Sequence, residues 1–329
     1  MGGPEATGIG HGVTVRCSAM STTPGPPILS RRAVLAGLAG AGSLALLGCG
    51  SATTRTGSGD PGATNGTGSG SGSGSGSTSK LALQPRFDQN TFVVAGIEQR
   101  LVVSLLSTDG SVVMDVPDMV SFRVTRDGTD VGPAIATPSR QDGIPIPYYA
   151  VRATVPTAGT YELVADGVDV RPAAFAAVAP EASGLVRPGQ SLPVTDTPTV
   201  ADHRGVEPLC TRGEQCPFHG LNLRDALAAG KKVALMVSTP KYCQIGICGP
   251  VLDLIIEQAA QHEDVQFVHA EVFARPDTGS KDTAPIIEAM GLDHEPALFV
   301  VGADGIVRDR LDFVFDRGEI TAALATLAG

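Results

Sequence analysis

Cys210, Cys216, Cys243 and Cys248 lie in one short stretch of this chain, and their spacing sets out the chemistry it can do. Cys243 and Cys248 are separated by four residues, and Cys248-Gly249-Pro250 opens a segment in which Leu252, Ile255, Ile256 and Ala259 form one helical stripe. A cysteine at a helix start meets unpaired N–H groups and the positive end of the peptide dipoles, which stabilise its thiolate and lower its pKa. A second thiol nearby can resolve a mixed disulfide, so the pair is expected to carry out thiol–disulfide exchange, with an inert structural disulfide as the alternative. Cys210 and Cys216 fall in Cys210-Thr211-Arg212-Gly213-Glu214-Gln215-Cys216-Pro217-Phe218-His219 and are expected to form a structural disulfide that pins a loop. Two other readings stay open there: a second dithiol that exchanges with the first, or a metal site using Cys216 and His219. His203, His262 and His269 read as surface or strand residues rather than ligands.

The compartment of these thiols is written at the N-terminus. Ser30-Arg31-Arg32 precedes an uncharged run from Ala33 to Leu47, too short for a permanent membrane span. A basic start, a short apolar core and a small-residue exit describe a secretory signal. The exit, Leu46-Leu47-Gly48-Cys49, resembles the lipobox of bacterial lipoproteins. That resemblance implies a lipid on Cys49, cleavage before it, and several acyl chains holding the protein firmly to the outer, extracytoplasmic face of the cell membrane. The arginine pair also resembles a twin-arginine signal, although Val34 stands where that motif often has Phe, and a Sec signal stays open. Met20 is an alternative start.

Residues 1–48 are therefore set aside as signal, and 49–79 as the lipidated cysteine plus a Gly/Ser-rich linker. A linker of this kind spans on the order of 30 Å as a random coil. Without Arg16, Arg31, Arg32 and Glu5 the chain keeps 21 basic against 33 acidic residues. Such a surface repels phosphate backbones and excludes nucleic acid as a partner. Losing Cys17 and committing Cys49 leaves four of the six cysteines, an even number that favours disulfides in an oxidising compartment.

The elements that must position the cysteines change character along the chain. Residues 80–180 read as short strands: Thr91 to Val94, Leu101 to Leu105, then Tyr149, Val151, Ala153 and Val155 on one face, and Tyr161, Leu163 and Ala165 on another. Period-two alternation with regular turns predicts an antiparallel sandwich, and Pro156-Thr157-Ala158-Gly159-Thr160-Tyr161 resembles a late-strand turn of immunoglobulin-like domains. No catalytic constellation is found there. Residues 185–329 alternate between types: a helix over Leu221 to Ala229, a buried strand over Lys232 to Ser238, a helix over Val251 to Gln261, and a strand over Val265 to Val272. A helix over Ala284 to Met290, a hairpin from Ala297 to Leu311 and a helix over Glu319 to Leu327 complete the order.

With its cysteines, that order resembles the thioredoxin superfamily. The likeness rests on the buried strand running into Tyr242-Cys243, on Cys248-Gly249-Pro250, and on His294-Glu295-Pro296 before the strand Ala297-Leu298-Phe299-Val300-Val301. It implies an α/β domain with a central mixed sheet flanked by helices, and a cis-proline at Pro296 facing the active cysteine. Two registers are possible. Either Tyr242-Cys243 takes the place of the family's Trp-Cys, or Cys248-Gly249-Pro250-Val251 takes the place of its Cys-Gly-Pro-Cys; the first is preferred, with Cys243 as nucleophile. The family's usual spacing is two residues rather than four, and Val237 stands where its buried acid would fall.

Residues Cys243, Cys248 and Pro296 are thus the expected catalytic set of a membrane-tethered thiol–disulfide oxidoreductase needing no cofactor. Its partners would be extracytoplasmic client proteins bearing thiols or disulfides. The alternatives are a copper or other soft-metal binding lipoprotein using Cys243, Cys248 and His294, and a non-catalytic surface module with structural disulfides.

Overall fold

The computed structural model describes residues 79–328. Cys49, the signal segment and nearly all of the linker lie outside the described residues. The first ten strands are β1 (Leu81–Pro85), β2 (Val93–Val94), β3 (Glu98–Ser107), β4 (Met119–Arg126), β5 (Thr129–Asp130), β6 (Ile135–Arg140), β7 (Tyr148–Thr154), β8 (Gly159–Asp166), β9 (Val170–Arg171) and β10 (Ala173–Val178). Alternation sets their faces. In β8, Tyr161, Leu163 and Ala165 are buried while Thr160 and Glu162 are exposed. In β7, Tyr149, Val151 and Ala153 are buried while Arg152 and Thr154 are exposed.

The assembly of these strands corrects the sequence expectation. They form one ten-stranded mixed sheet, curled into a half-barrel, in the order β2-β10-β8-β4-β6-β7-β3-β1-β9, with β5 paired to β4. They do not form the antiparallel immunoglobulin-like sandwich. Strand β6 makes the sheet continuous: Ile135 to Pro138 pair with β4, and Ser139 and Arg140 pair with β7. The sheet is mixed because β1 runs parallel to β9, and β10 parallel to β2.

The remainder contains α1 (Leu223–Ala228), β11 (Lys232–Val237), α2 (Cys248–Ala259), β12 (Val265–Ala270), α3 (Pro285–Met290), β13 (Ala297–Val301), β14 (Val307–Asp312) and α4 (Arg317–Ala325). The strands form a small mixed sheet in the order β12-β11-β13-β14, with β11 parallel to β12 and the other pairs antiparallel. Strands β11 and β13 are apolar and buried almost throughout, as central strands covered on both faces must be. This part too departs from expectation: in place of a thioredoxin-like fold there is a small sheet with few helices. Local punctuation keeps the helices short. Helix α1 runs out just before Gly230, and α3 opens on Pro285 and ends at Gly291, whose φ is +62°. Among the described residues only α2 reaches twelve residues. Individual strands and helices lie close to their predicted spans; their assembly does not follow the predicted folds.

From Ser183 to Asn222 the chain builds no α-helix and no named strand. It first runs beside β14, where Gly189 N–H donates to the Val307 carbonyl at 2.8 Å and Val307 N–H donates to the Gln190 carbonyl at 2.9 Å. It then crosses to β12, where His269 N–H donates to the Phe218 carbonyl at 3.2 Å. The two sheets share one apolar core. A buried polar knot joins them. Arg100 of β3 donates to Glu319 Oε1 at 2.7 Å and to the Asp312 carbonyl at 2.8 Å, and also pairs with Glu319 Oε2 and the Val314 carbonyl. Tyr148 adds a hydrogen bond to Glu319 and accepts the Asp316 N–H at 2.9 Å. This knot explains why Tyr148 and Arg100 are buried on the opposite face from their alternating neighbours.

Candidate functional site

The first group is Cys243 with Cys248. Gly246, at φ +67°, allows the tight turn in which its N–H reaches the Cys243 carbonyl at 3.3 Å. That turn brings the Cys243 sulfur to the start of α2, where Cys248 N–H donates to it at 3.4 Å. Ile247, the N-cap residue, offers no side-chain acceptor, so the sulfur takes up one of the helix's unpaired donors. Cys243 is half-buried and Cys248 fully buried. A hydrogen bond from the Cys248 thiol, helped by the N–H groups of Ile245, Ile247 and Cys248, outweighs burial and lowers the Cys243 pKa to about 6. Burial pushes the Cys248 thiol up, and donation to Cys243 pushes it further. Glu295 lies within electrostatic reach of both sulfurs, and its carboxyl is raised by burial and by the charge on Cys243.

The Glu295–Pro296 bond is cis and leads directly into β13. His294 stands apart from the cysteines. Its Nδ1 meets Asp293 at 2.7 Å, its Nε2 meets Asp312 at 2.8 Å, and its ring stacks on Phe313, so both nitrogens are engaged by carboxylates. Beside the cysteine loop, Tyr242, Phe273 and Pro276 line a shallow, largely apolar depression.

The second group was only partly visible in the sequence. Cys210, Cys216, His219 and His269 converge, each offering one ligand atom, with all four atoms within 4.8 Å of one another. Among the described residues this is the one cluster of its kind. Both cysteines are free thiols. His269 comes from β12, where it is fully buried beside Phe267, Val268 and Ala270. The other three come from the irregular segment, seated by the bond from His269 N–H to Phe218 and by Phe218 stacking on Phe267 with ring centroids 5.3 Å apart. His269 Nδ1 lies 3.4 Å from Cys216 Sγ, 3.8 Å from Cys210 Sγ and 3.3 Å from His219 Nε2. Its Nε2 lies 2.9 Å from Ser238 Oγ and 3.3 Å from the Ser238 carbonyl.

The cluster's electrostatics favour one thiolate. Donation from Cys216, with further help from His219 and His269, holds the Cys210 thiol well below its ordinary value despite burial. Cys216 is pushed up by that same shared hydrogen bond and by burial. Burial also lowers the pKa of His219. The Pro198 carbonyl interacts with this ring, but the buried Nδ1 makes no hydrogen bond of normal geometry. One link joins the two groups: Thr211, next to Cys210, accepts the Lys241 N–H at 3.3 Å and donates its own N–H to Glu271 at 2.6 Å. No protein-family model matches the chain, and no curated protein matches it.

Proposed function

We propose that the protein carries out thiol–disulfide exchange with extracytoplasmic client proteins, using Cys243 as nucleophile and Cys248 as resolving thiol. The supporting observation is the placement of the half-buried Cys243 sulfur on the N–H of Cys248 at the start of α2, with the second thiol buried behind it. In the reducing direction the Cys243 thiolate attacks one sulfur of a client disulfide, forms a mixed disulfide and expels the other client sulfur as thiolate. The Cys248 thiol then loses its proton, for which Glu295 is the adjacent carboxylate, and attacks Cys243 Sγ. This expels the second client thiolate and leaves a Cys243–Cys248 disulfide. Two electrons pass from the protein dithiol to the client. Oxidation of a client dithiol is the same sequence reversed.

The lipobox-like sequence at Cys49 supports an anchor on the outer face of the cell membrane, with the linker holding the folded part above it. The test is insulin reduction and refolding of reduced ribonuclease by wild type, Cys243→Ser and Cys248→Ser. Cys243→Ser is expected to lose the activity, and Cys248→Ser to accumulate mixed disulfides. Equal rates for wild type and Cys243→Ser would overturn the proposal.

A further inference from the structure

The Cys210, Cys216, His219 and His269 cluster has the geometry of a coordination sphere rather than of a hydrogen-bond network. Three heteroatoms converge on one nitrogen, His269 Nδ1, which holds at most one proton. With Ser238 oxygens at 2.9 and 3.3 Å on the other side of the ring, the His269 proton belongs on Nε2. Nδ1 then presents a bare lone pair to two sulfurs and a second imidazole nitrogen. A proton on one of them satisfies a single contact and leaves the other two unmet. A cation at the centre satisfies all of them.

The distances fit such a cation. For tetrahedral zinc, bond lengths of about 2.3 Å to sulfur and 2.05 Å to nitrogen place ligand atoms ~3.6 Å apart for S···N and ~3.3 Å apart for N···N. The observed S···N separations are 3.4 and 3.8 Å, and the N···N separation is 3.3 Å. Charge fits as well: two thiolates and two neutral imidazoles cancel a divalent ion, so a buried site would carry no net charge. Cys216, His219 and His269 are each no more than 2% exposed, which leaves little room for water or substrate as a further ligand.

We propose that Cys210, Cys216, His219 and His269 form a closed tetrahedral Cys2His2 centre for a zinc ion. All four positions come from the protein, which marks a structural rather than a catalytic site. The centre clamps the irregular segment carrying Cys210, Cys216 and His219 to β12, which carries His269. Ser238 orients His269 from behind, as the outer partners of metal-bound histidines do. The site shares no residue with the Cys243–Cys248 pair, so either proposal can fail alone.

The test uses the reduced, detergent-solubilised full chain. It is freed of metal with a chelator and titrated with Zn2+ against a chromophoric competitor, and separately with Co2+. One zinc per chain is expected, together with the absorption bands of a tetrahedral cobalt site carrying two thiolates. Cys216→Ser and His269→Ala are expected to lose the cobalt thiolate bands, whereas Cys243→Ser keeps stoichiometry and spectrum. Ser238→Ala, which leaves every ligand in place, is expected to weaken zinc binding about 10-fold, the lower end of outer-partner effects. The cobalt spectrum of the wild-type chain reports on the site even where a ligand variant fails to fold. No zinc bound by the reduced chain, zinc lost with Cys243→Ser, or a Cys210–Cys216 disulfide in metal-free protein as isolated would each overturn the proposal.

Discussion

At the scale of residues, Cys243 is where chemistry and pH meet. Its pKa of about 6 places the thiolate within reach of neutral conditions, so alkylation by iodoacetamide is expected to rise through about pH 6 and level off above it. The titratable groups facing Cys243 are Cys248 and Glu295. Replacing Glu295 by Gln removes a negative charge, so the alkylation midpoint is expected to move down while resolution by Cys248 slows. A midpoint above 8 for wild type would contradict the thiolate assignment. The two cysteines and their helix were legible because N-terminal placement and an apolar stripe are local signals. The second cluster was legible only in part. Cys216 and His219 are close enough in sequence to read as a ligand pair, but His269 is fifty residues away, and its partnership is set by the pairing of Phe218 with β12. The available hint was a histidine inside an otherwise buried strand, where an unpartnered imidazole would be costly.

At the scale of elements, Arg100 of β3 and Glu319 of α4 join the two sheets. Asp316 caps α4 by accepting the Glu319 N–H at 2.9 Å, while the Glu319 side chain turns toward Arg100 instead of closing a capping box. Removing one member of a buried pair leaves an uncompensated charge. Arg100→Met or Glu319→Gln is therefore expected to destabilise the protein by about 3–5 kcal/mol, read as a lowered urea midpoint. A change near zero would mean that water reaches the knot. Strand positions were legible because alternation is written residue by residue. The continuity of the large sheet was not, because β6 divides its pairing between β4 and β7 and nothing within Ile135 to Arg140 marks the hand-over. The four helices were legible for the same local reason as the strands: each lies close to its predicted span, and Gly230 and Gly291 punctuate two of them.

At the scale of the molecule, stability should peak between acid and alkali for identifiable reasons. Burial alone would raise Asp312 and Glu319. Arg310 with His294 outweighs it at Asp312, and Arg100 with Tyr148 outweighs it at Glu319, so both carboxylates are held below their ordinary values. Their contribution is full above the unfolded carboxylate range, about pH 4, and is lost as pH falls through the folded values. His294 has the opposite sign. Burial would lower it, but Asp293 and Asp312 raise it, so its contribution is present below about pH 6.5 and is lost as pH rises through the folded value. Urea midpoints measured across pH should fall at both ends, and a profile flat in acid would refute the carboxylate assignment. Cys49→Ser is expected to abolish palmitate labelling and move the protein from the detergent to the aqueous phase on partitioning; unchanged partitioning would remove the anchor.

The irregular segment from Ser183 to Asn222 has one more consequence at this scale. It pairs with the start of β14 through Gly189 and Gln190, with the turn before it through Leu192, and with β12 through Phe218. A four-stranded sheet left bare at these sides would present rows of unpaired backbone donors and acceptors, an invitation to strand addition by any extended polypeptide. Here the same chain segment pairs with part of each margin. The bonds at Gly305, Val307 and His269 therefore interrupt both margins, so a strand from another chain cannot add along their full length.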